Sequence, residues 1–358
     1  MSSKALCVSM ELLRRAALPL AAAWLVAAFV AGTAVAAMPS EPSPARLVAI
    51  GDLHGDYAAF LALMSQAGLI DAKGHWSGKQ TVFVQMGDAV DRGPRSRDII
   101  LHLQRLQKEA SRAGGKVIAL IGNHEAMNMT GDLRYVPPVE YQNYVTRKSQ
   151  ALREQIFQAN KGKVETDYRQ ANPQLTDKDV RARFQEQYPL GYFEHRLAWA
   201  PSGEFGHWVL GNPAAVIVGD SLFVHGGISV QYEADTVEQL NDLVHGALST
   251  ASTDDDAIVQ DEAGPLWYRG FAQETADSAR DVAEVLHAYS VKRIIIAHTP
   301  NLTGIRVLDQ GRVILIDTGI TAVYGGTHSY LSIEGAAIFA HDGDQISELK
   351  SAETPPQG

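Results

Sequence analysis

The sequence predicts an α/β fold. Short runs of β-branched residues alternate with amphipathic stretches, which is the pattern of strands alternating with helices. Glycines and polar residues directly follow five of the expected strands, as in α/β sheets that bind ligands beyond the carboxyl ends of their strands. Hydrophobic residues make up 46% of the 358 residues and charged residues 20%, the balance of a globular protein with a sizeable core.

The elements alternate along most of the chain. Strands are expected at residues 47–50, 81–85, 117–121, 215–218, 222–224, 293–296 and 313–316. Helices are expected at residues 57–67, 96–112 and 279–289. Residues from about 140 to 190 differ, because they are rich in charged residues and glutamine. We expect a helical insertion over the site there, and a solvated helical excursion is the alternative.

The N-terminus has the pattern of a targeting segment. A basic stretch precedes an uncharged run at residues 16–40, which contains the small-residue sequence AVA at 34–36. We therefore expect a cleaved signal peptide at residues 1–37, a linker at 38–45 and a periplasmic or secreted mature protein. The alternative is an uncleaved anchor facing the periplasm, since the run is long enough to cross a bilayer. Residues 346–358 are expected to form a flexible tail.

Charge and cysteine content exclude several classes of protein. Lysine and arginine number 31 against 41 aspartate and glutamate, so the net charge is −10 and binding to nucleic acid is not expected. The only cysteine is Cys7, inside the expected signal peptide. A disulfide scaffold, a CxxC metal site and a thiol nucleophile are therefore excluded for the mature chain. No stable membrane contact is expected once the signal peptide is cleaved.

Side chains that bind metals or transfer protons cluster in glycine-rich blocks after strands. Three strands run into GDLHG, GDAVDRG and GNHE, and two later strands are each followed by a histidine. The glycines let the chain turn sharply and approach a ligand closely. The candidate residues are Asp52, His54, Asp88, Asp91, Arg92, Asn123, His124, His225 and His298.

The types of side chain indicate divalent metal ions. Carboxylates, imidazoles and one amide oxygen, with no thiolate, suit manganese, iron or zinc. Six of the candidates could be metal ligands: Asp52, His54, Asp88, Asn123, His225 and His298. One four-coordinate ion cannot use six ligands, so two ions that share a carboxylate fit better. Each residue has a structural alternative: Asp52 could cap a helix, Asp91 could hold a turn and His225 could be a hydrogen-bonded core histidine. Three blocks in order, at the spacing of βαβ units, favour the functional interpretation.

These blocks resemble the phosphoprotein phosphatase family of the calcineurin-like metallophosphoesterases. GDLHG, GDAVDRG and GNHE match its signature blocks, and His225 and His298 match its later metal histidines. The segments GNHEAMNMTGDLRYV, GPLWYRG and AHTP are similar to those of the bacterial-type Shewanella-like phosphatases. The likeness covers roughly residues 46–335. It implies a catalytic domain at residues 46–345, built as a β-sandwich of mixed sheets flanked by helices.

The resemblance also implies a dinuclear metal site. Asp88 would bridge the two ions. The other ligands of the first ion would be Asp52 and His54, and those of the second would be Asn123, His225 and His298. Manganese is the expected metal, with iron or zinc as alternatives. The two cations would generate hydroxide from water near neutral pH.

The same resemblance implies the remaining catalytic roles. His124 would be the general acid on the leaving oxygen, with Asp91 orienting its ring. Arg92, Arg269 and Asn123 would bind the phosphate. The expected activity is therefore that of a metal-dependent phosphomonoesterase.

Three functions remain open at the level of sequence. The leading expectation is a protein phosphatase that acts on phosphorylated proteins or peptides, with a leaning to phosphotyrosine. A hydrolase of nucleotides or dinucleoside polyphosphates shares GDxHG and GNHE, but export counts against it because such substrates are mostly cytoplasmic. A non-catalytic module that binds metal or phosphate is the third, and the intact His124, Asp91, Arg92 and Arg269 count against it.

Overall fold

The described residues form two β-sheets stacked as a sandwich, with helices against their outer faces. The computed structural model describes residues 44–255, 257–273 and 275–350. The predicted signal peptide and most of the predicted linker lie outside these residues. Among the helices that are described, none combines the length and the apolar character needed to cross a bilayer. The predicted fold class is confirmed, since both sheets are mixed and flanked by helices.

The strands are short, and in chain order they are β1 (Leu47–Ile50), β2 (Val82–Gln85), β3 (Lys116–Ala119), β4 (Ala215–Val218), β5 (Ser221–Val224), β6 (Arg293–Ile296), β7 (Arg306–Leu308), β8 (Val313–Leu315), β9 (Ser329–Glu334), β10 (Ala337–Asp342) and β11 (Gln345–Leu349). The helices are α1 (Tyr57–Gln66), α2 (Ser96–Arg112), α3 (Asn123–Thr130), α4 (Ser149–Ala171), α5 (Asp177–Gln187), α6 (Tyr192–Trp199), α7 (Glu204–Val209), α8 (Val237–Ser249) and α9 (Ala276–Ala288).

The strand order brings the carboxyl ends of the parallel strands together. The first sheet has the order β11-β10-β9-β1-β2-β3, with β1, β2 and β3 parallel and the other three strands antiparallel. The second sheet has the order β4-β5-β6-β8-β7, with β5, β6 and β8 parallel. Loops that leave the parallel strands are therefore collected at one edge of each sheet.

Both faces of the central strands are buried, which explains their nearly continuous apolar runs. Successive side chains of a strand point to opposite faces. One set packs between the sheets and includes Leu47, Val84, Phe223, Ile295 and Ile314. The other set packs against the helices and includes Val48, Phe83, Leu222, Ile294 and Val313.

The predicted insertion is helical and reaches further along the chain than residue 190. It begins with a 3₁₀ turn at Glu140–Tyr144 and continues through α4, α5, α6 and α7 to Val209. Its helices have an apolar cluster of their own, which includes Ile156, Val180 and Phe184. The insertion is therefore a packed layer and not only a solvated excursion.

Several boundaries differ from the prediction. The expected tail at residues 346–358 is wrong at its start, because β11 runs to Leu349 and pairs with β10 from Ile338↔Leu349 to Asp342↔Gln345. Helix α9 begins at Ala276 and not at residue 279. The Thr275 side chain caps the start of this helix by accepting a hydrogen bond from the Ser278 amide. The strands β7, β9, β10 and β11 and the helices α3 and α8 were not predicted.

Candidate active site

The predicted site residues meet at one edge of the sandwich. They lie in the loops that follow β1, β2, β3, β5 and β6, where parallel strands end. Arg269 comes from a loop between α8 and α9. All of these side chains are buried except the two arginines, since Arg92 is partly buried and Arg269 is exposed. The predicted convergence of the motif blocks is thus present in the fold.

Five site residues have a left-handed backbone, which is rare for residues other than glycine. They are His54 (φ 44°), Asp88 (φ 51°), Asp91 (φ 70°), Arg92 (φ 64°) and His298 (φ 64°). Such conformations cost free energy and persist only where the surroundings hold them, which is common at functional sites. The backbone conformation of these loops therefore fixes the direction of the site side chains.

Two glycines let the second and third motif blocks touch. Gly87 has φ 91°, and a Cβ atom there would lie 2.7 Å from the backbone of Gly122. A Cβ atom at Gly122 would clash with the Asp88 carboxylate. Only glycine at both positions allows this approach, and the approach brings Asp88 next to the start of α3.

The first group of potential metal ligands consists of His54, Asp88 and His124. One ligand atom from each lies within 4.8 Å of the others. Nε2 of His54 is 3.8 Å from Oδ2 of Asp88 and 3.7 Å from Oδ2 of Asp52. The predicted first-ion ligands Asp52, His54 and Asp88 are thus neighbours, with the His124 ring beside them.

The second group shares Asp88 with the first. Ligand atoms of Asp88, His225 and His298 lie within 4.8 Å of one another. Nε2 of His225 is 3.4 Å from Oδ1 of Asp88 and 3.0 Å from Oδ1 of Asn123. The two oxygens of Asp88 thus face different groups, as expected of a bridging carboxylate.

His124 is held by a carboxylate on the side of its ring away from Asp88. Its Nδ1 is 2.7 Å from Oδ2 of Asp91, and its Nε2 is 3.8 Å from Oδ2 of Asp88. Asp91 also accepts a 2.9 Å hydrogen bond from Nδ2 of Asn128 through its other oxygen. Burial disfavours the charged ring, but the carboxylates of Asp88 and Asp91 outweigh it and raise the pKa of His124.

A buried glutamate ties two motif loops together. Glu125 accepts hydrogen bonds from the backbone N–H groups of Asp88 at 2.9 Å, Ala89 at 2.9 Å and Gly122 at 2.8 Å. The last residue of GNHE therefore holds the backbone of the GDAVDRG loop in place.

The helical insertion supports the site through two further side chains. Glu140 accepts hydrogen bonds from the backbone N–H groups of Ser96 at 3.2 Å and Arg97 at 3.1 Å, at the start of α2. Oγ of Ser96 in turn accepts a 3.0 Å hydrogen bond from the Asp91 amide. The buried Arg196 of α6 donates to the carbonyl oxygen of Asn128 in α3. The insertion therefore braces the elements that carry the His124–Asp91 pair.

Two tyrosines surround the Arg92 guanidinium at the mouth of the site. Its central carbon lies 4.6 Å from the ring centre of Tyr135 and 5.0 Å from that of Tyr324. The Tyr135 ring is also 4.9 Å from the His124 ring, centre to centre. On the other side, Nη2 of Arg269 donates a 3.5 Å hydrogen bond to the carbonyl oxygen of His298. Each arginine is thus beside one group of potential ligands.

Comparison with known protein families agrees with this geometry. The profile of the calcineurin-like phosphoesterases matches residues 45–302, which include every candidate site residue. This chain belongs to that family. The calcineurin-like phosphoesterases hydrolyse phosphoric esters, and the protein is a phosphatase.

Two relatives and one solved structure place the chain among Shewanella-like phosphatases of this family. Shewanella-like protein phosphatase 2 of Arabidopsis thaliana is 33% identical over 293 residues, covering 78% of this chain and 72% of that protein. Shewanella-like protein phosphatase 1 of Plasmodium berghei is 24% identical over 307 residues, covering 82% and 73%. A cold-active protein-tyrosine phosphatase of a psychrophilic Shewanella species superposes with a TM-score of 0.66 at 25% identity, covering 87% and 83%. The resemblance drawn from the motifs is confirmed.

Calcineurin-like phosphoesterases use divalent metal ions, and the residues present fit such ions. Burial lowers the pKa of His54 to about 3 and that of His298 to about 2, so both rings are neutral and able to bind a metal. Nε2 of His298 is buried and has no hydrogen-bond partner among the described residues. Burial and the nearby Asp317 and Asp88 raise the pKa of Asp52 well above its usual range. A divalent cation bound among these carboxylates would offset the repulsion between their negative charges.

Some residues at the site of this calcineurin-like phosphoesterase were not predicted. Asp317 is buried two residues after the end of β8 and lies beside Asp52. The signal that identified the other blocks, a polar residue after a strand, was present there too. Tyr135, Tyr324 and Asn128 gave no such signal, because their roles depend on contacts between distant loops.

Proposed function

We propose that the protein is an exported phosphoprotein phosphatase with a dinuclear metal site and a preference for phosphotyrosine. The observation that carries the proposal is the pair of ligand groups that share Asp88, next to the buried His124–Asp91 pair. Ligand groups of this kind suit phosphate ester hydrolysis, since positive charge is needed where negative charge develops. A group that can hold a transferable proton lies beside them.

The metals would be held by residues already named. Asp88 would bind both ions. Asp52 and His54 would complete the protein ligands of one ion, and those of the other would be Asn123, His225 and His298. When bound, the two ions would activate water and neutralise charge on the phosphate. Manganese is the metal we propose, because the ligand set is rich in oxygen and imidazole and contains no thiolate.

His124 would hold the proton that the leaving group needs. Because its Nδ1 faces Asp91, its Nε2 is the atom that faces the site. Burial opposes protonation of the ring, but the carboxylates of Asp88 and Asp91 raise the pKa of His124 and so favour the form that carries the proton. Donation from Nε2 to the leaving oxygen would avoid the release of a strongly basic alkoxide or phenolate.

The two arginines would bind the phosphate oxygens from two sides. A guanidinium offers paired N–H donors that match phosphate oxygens. Arg92 would be oriented by its contacts with Tyr135 and Tyr324, and Arg269 by its hydrogen bond to His298. Asn123 would contact the phosphate from the start of α3.

The preference for phosphotyrosine is supported by the aromatic side chains at the mouth of the site. Tyr135 is 37% exposed and contacts both Arg92 and His124. An aromatic leaving group could stack there, whereas a phosphoserine has no ring to stack. The solved relative from Shewanella is itself described as a protein-tyrosine phosphatase.

Paired phosphopeptides test this proposal. Peptides that differ only in carrying phosphotyrosine or phosphoserine would be assayed for phosphate release with Mn²⁺ and after removal of metals by a chelator. We expect metal-dependent hydrolysis with a higher kcat/KM for phosphotyrosine, and replacement of Tyr135 by leucine should reduce that ratio. Equal kcat/KM values for the two peptides would refute the preference, and hydrolysis of neither would refute the protein phosphatase function.

A further inference from the structure

A cavity lies next to the proposed phosphate site. It lies between the first turns of α1, the loop after Arg92 and the loop at residues 321–323, and its volume is about 380 Å³. Its walls include Tyr57, Leu61, Pro94 and Val323. We call it the Val323 pocket. Its size is within the range of pockets that bind ligands.

The pocket is continuous with the proposed catalytic site through one side chain. Arg92 lines the Val323 pocket and also contacts Tyr135 and Tyr324 at the mouth of the site. An extended peptide advances about 3.3 Å per residue. A residue next to the phosphorylated one, or one further along, can therefore reach the pocket while Arg92 holds the phosphate.

Apart from Arg92, which we assign to the phosphate, three polar side chains around the pocket have partners. The Arg95 guanidinium is paired with Asp98 at 2.6 Å and lies 4.8 Å from the Tyr57 ring centre. The Tyr57 hydroxyl is 3.0 Å from Nδ1 of His102. The Asp56 carboxylate accepts hydrogen bonds from two backbone N–H groups, those of Ala59 at 3.0 Å and Ala322 at 3.2 Å. The Tyr57 hydroxyl and the Asp56 carboxylate are thus already engaged, and Leu61, Pro94 and Val323 offer apolar contact.

Hydrogen bonds join the walls to one another, so the pocket does not need a ligand to form. The Asp56–Ala322 hydrogen bond joins α1 to the 321–323 loop, and the Arg95 amide donates to the Gly55 carbonyl at 3.1 Å. Val323 stands at the rim with 61% of its surface exposed. An apolar side chain entering the pocket would cover this valine and remove apolar surface from water.

We propose that the Val323 pocket is a specificity subsite for the phosphorylated substrate. It receives an apolar side chain that lies one or two residues from the phosphorylated residue. This inference rests on the proposed phosphoprotein phosphatase function. It extends that function by defining which sequences around the phosphorylated residue are preferred.

A peptide series tests the subsite. Phosphotyrosyl peptides carry leucine, alanine or aspartate at one position at a time, within two residues on either side of the phosphotyrosine. At one position we expect kcat/KM to be about tenfold higher for leucine than for alanine, the change expected from partial burial of one leucine. The Val323→Asn variant should bring that ratio close to one. The matched control is Ile346→Asn, which alters an equally exposed apolar residue (63%) on β11 and should keep the wild-type ratio.

The possible outcomes distinguish failure of the proposed subsite from failure of the proposed phosphoprotein phosphatase function. Hydrolysis of p-nitrophenyl phosphate by the wild-type protein is measured in parallel, since this substrate has no neighbouring residues. If phosphopeptides are hydrolysed but no position favours leucine, or if the preference survives Val323→Asn, the subsite is wrong and the phosphoprotein phosphatase function stands. If p-nitrophenyl phosphate is hydrolysed but no phosphopeptide is, the phosphoprotein substrate is wrong and so is the subsite. If neither p-nitrophenyl phosphate nor any phosphopeptide is hydrolysed with Mn²⁺ present, both proposals are wrong.

Discussion

Replacement of Asp91 by asparagine should weaken proton donation by His124, and so lower kcat, without loss of bound metal. The Asp91 carboxylate accepts one hydrogen bond through each oxygen, from Nδ1 of His124 at 2.7 Å and from Nδ2 of Asn128 at 2.9 Å. An asparagine has only one oxygen, so it cannot accept both. It also removes the negative charge that favours the protonated ring of His124.

The size of the effect follows from the type of contact. A hydrogen bond to a charged group contributes about 1.5–3 kcal/mol. At about 1.4 kcal/mol per factor of ten, its loss should slow kcat by about ten- to a hundredfold for a leaving group that needs a proton. The full contribution of a general acid, about 10²–10⁴-fold, sets the upper limit and should be reached by His124→Asn.

A series of aryl phosphates measures this loss. It should be largest for phenyl phosphate and small for p-nitrophenyl phosphate, whose leaving group departs with less help from an acid. A raised pKa extends the protonated form of His124 to higher pH, so Asp91→Asn should also move the alkaline limb of the kcat profile to lower pH. The matched control is Asp177→Asn, which removes a carboxylate paired with Arg169 on the surface of the insertion and should leave kcat unchanged. An equal loss of kcat across the aryl series, or a loss of bound metal, would refute the assignment of His124.

Three further predictions address the metals, the phosphate and the N-terminus. Asp88→Asn should lose more metal than any other single ligand change, because Asp88 faces both ligand groups; two full equivalents in the purified variant would show that it is not the bridge. Arg269→Lys should lower kcat/KM and weaken inhibition by inorganic phosphate at unchanged metal content, and Arg269→Ala should do so more strongly, because lysine cannot reproduce the paired donors; wild-type phosphate affinity in both variants would make Arg269 a structural residue. N-terminal sequencing of protein from its native host should find cleavage near Ala36 or Ala37, and an intact Met1 on membrane-bound protein would contradict it.

Local patterns in the sequence were sufficient for the parts of the fold that carry the metal ligands. The strand at Leu47–Ile50 was predicted with both its ends, because an apolar run there stops at the glycine and aspartate of GDLHG. The same reasoning located the ends of β2, β3, β5 and β6 closely enough to group the blocks after them. Spacing alone therefore indicated which side chains would converge.

Features that depend on distant contacts were not predicted. Strand β9 pairs with β1 across most of the chain, and β11 is an edge strand whose residues are mostly exposed or partly buried. Neither has the buried apolar run that identified the central strands. Asp317 is significant only because β8 lies beside β6, which brings the loop after it to Asp52. Pairing of this kind cannot be read from local pattern.

Reconstitution of the metal-free protein tests the central proposal most directly. Manganese would be added in steps to chelator-treated protein, and bound metal and phosphotyrosyl-peptide hydrolysis would be measured on the same samples. Activity should be absent at the start, rise with added metal and reach its plateau when two ions are bound per chain. Full activity without metal, or a plateau at one bound ion, would contradict the dinuclear mechanism.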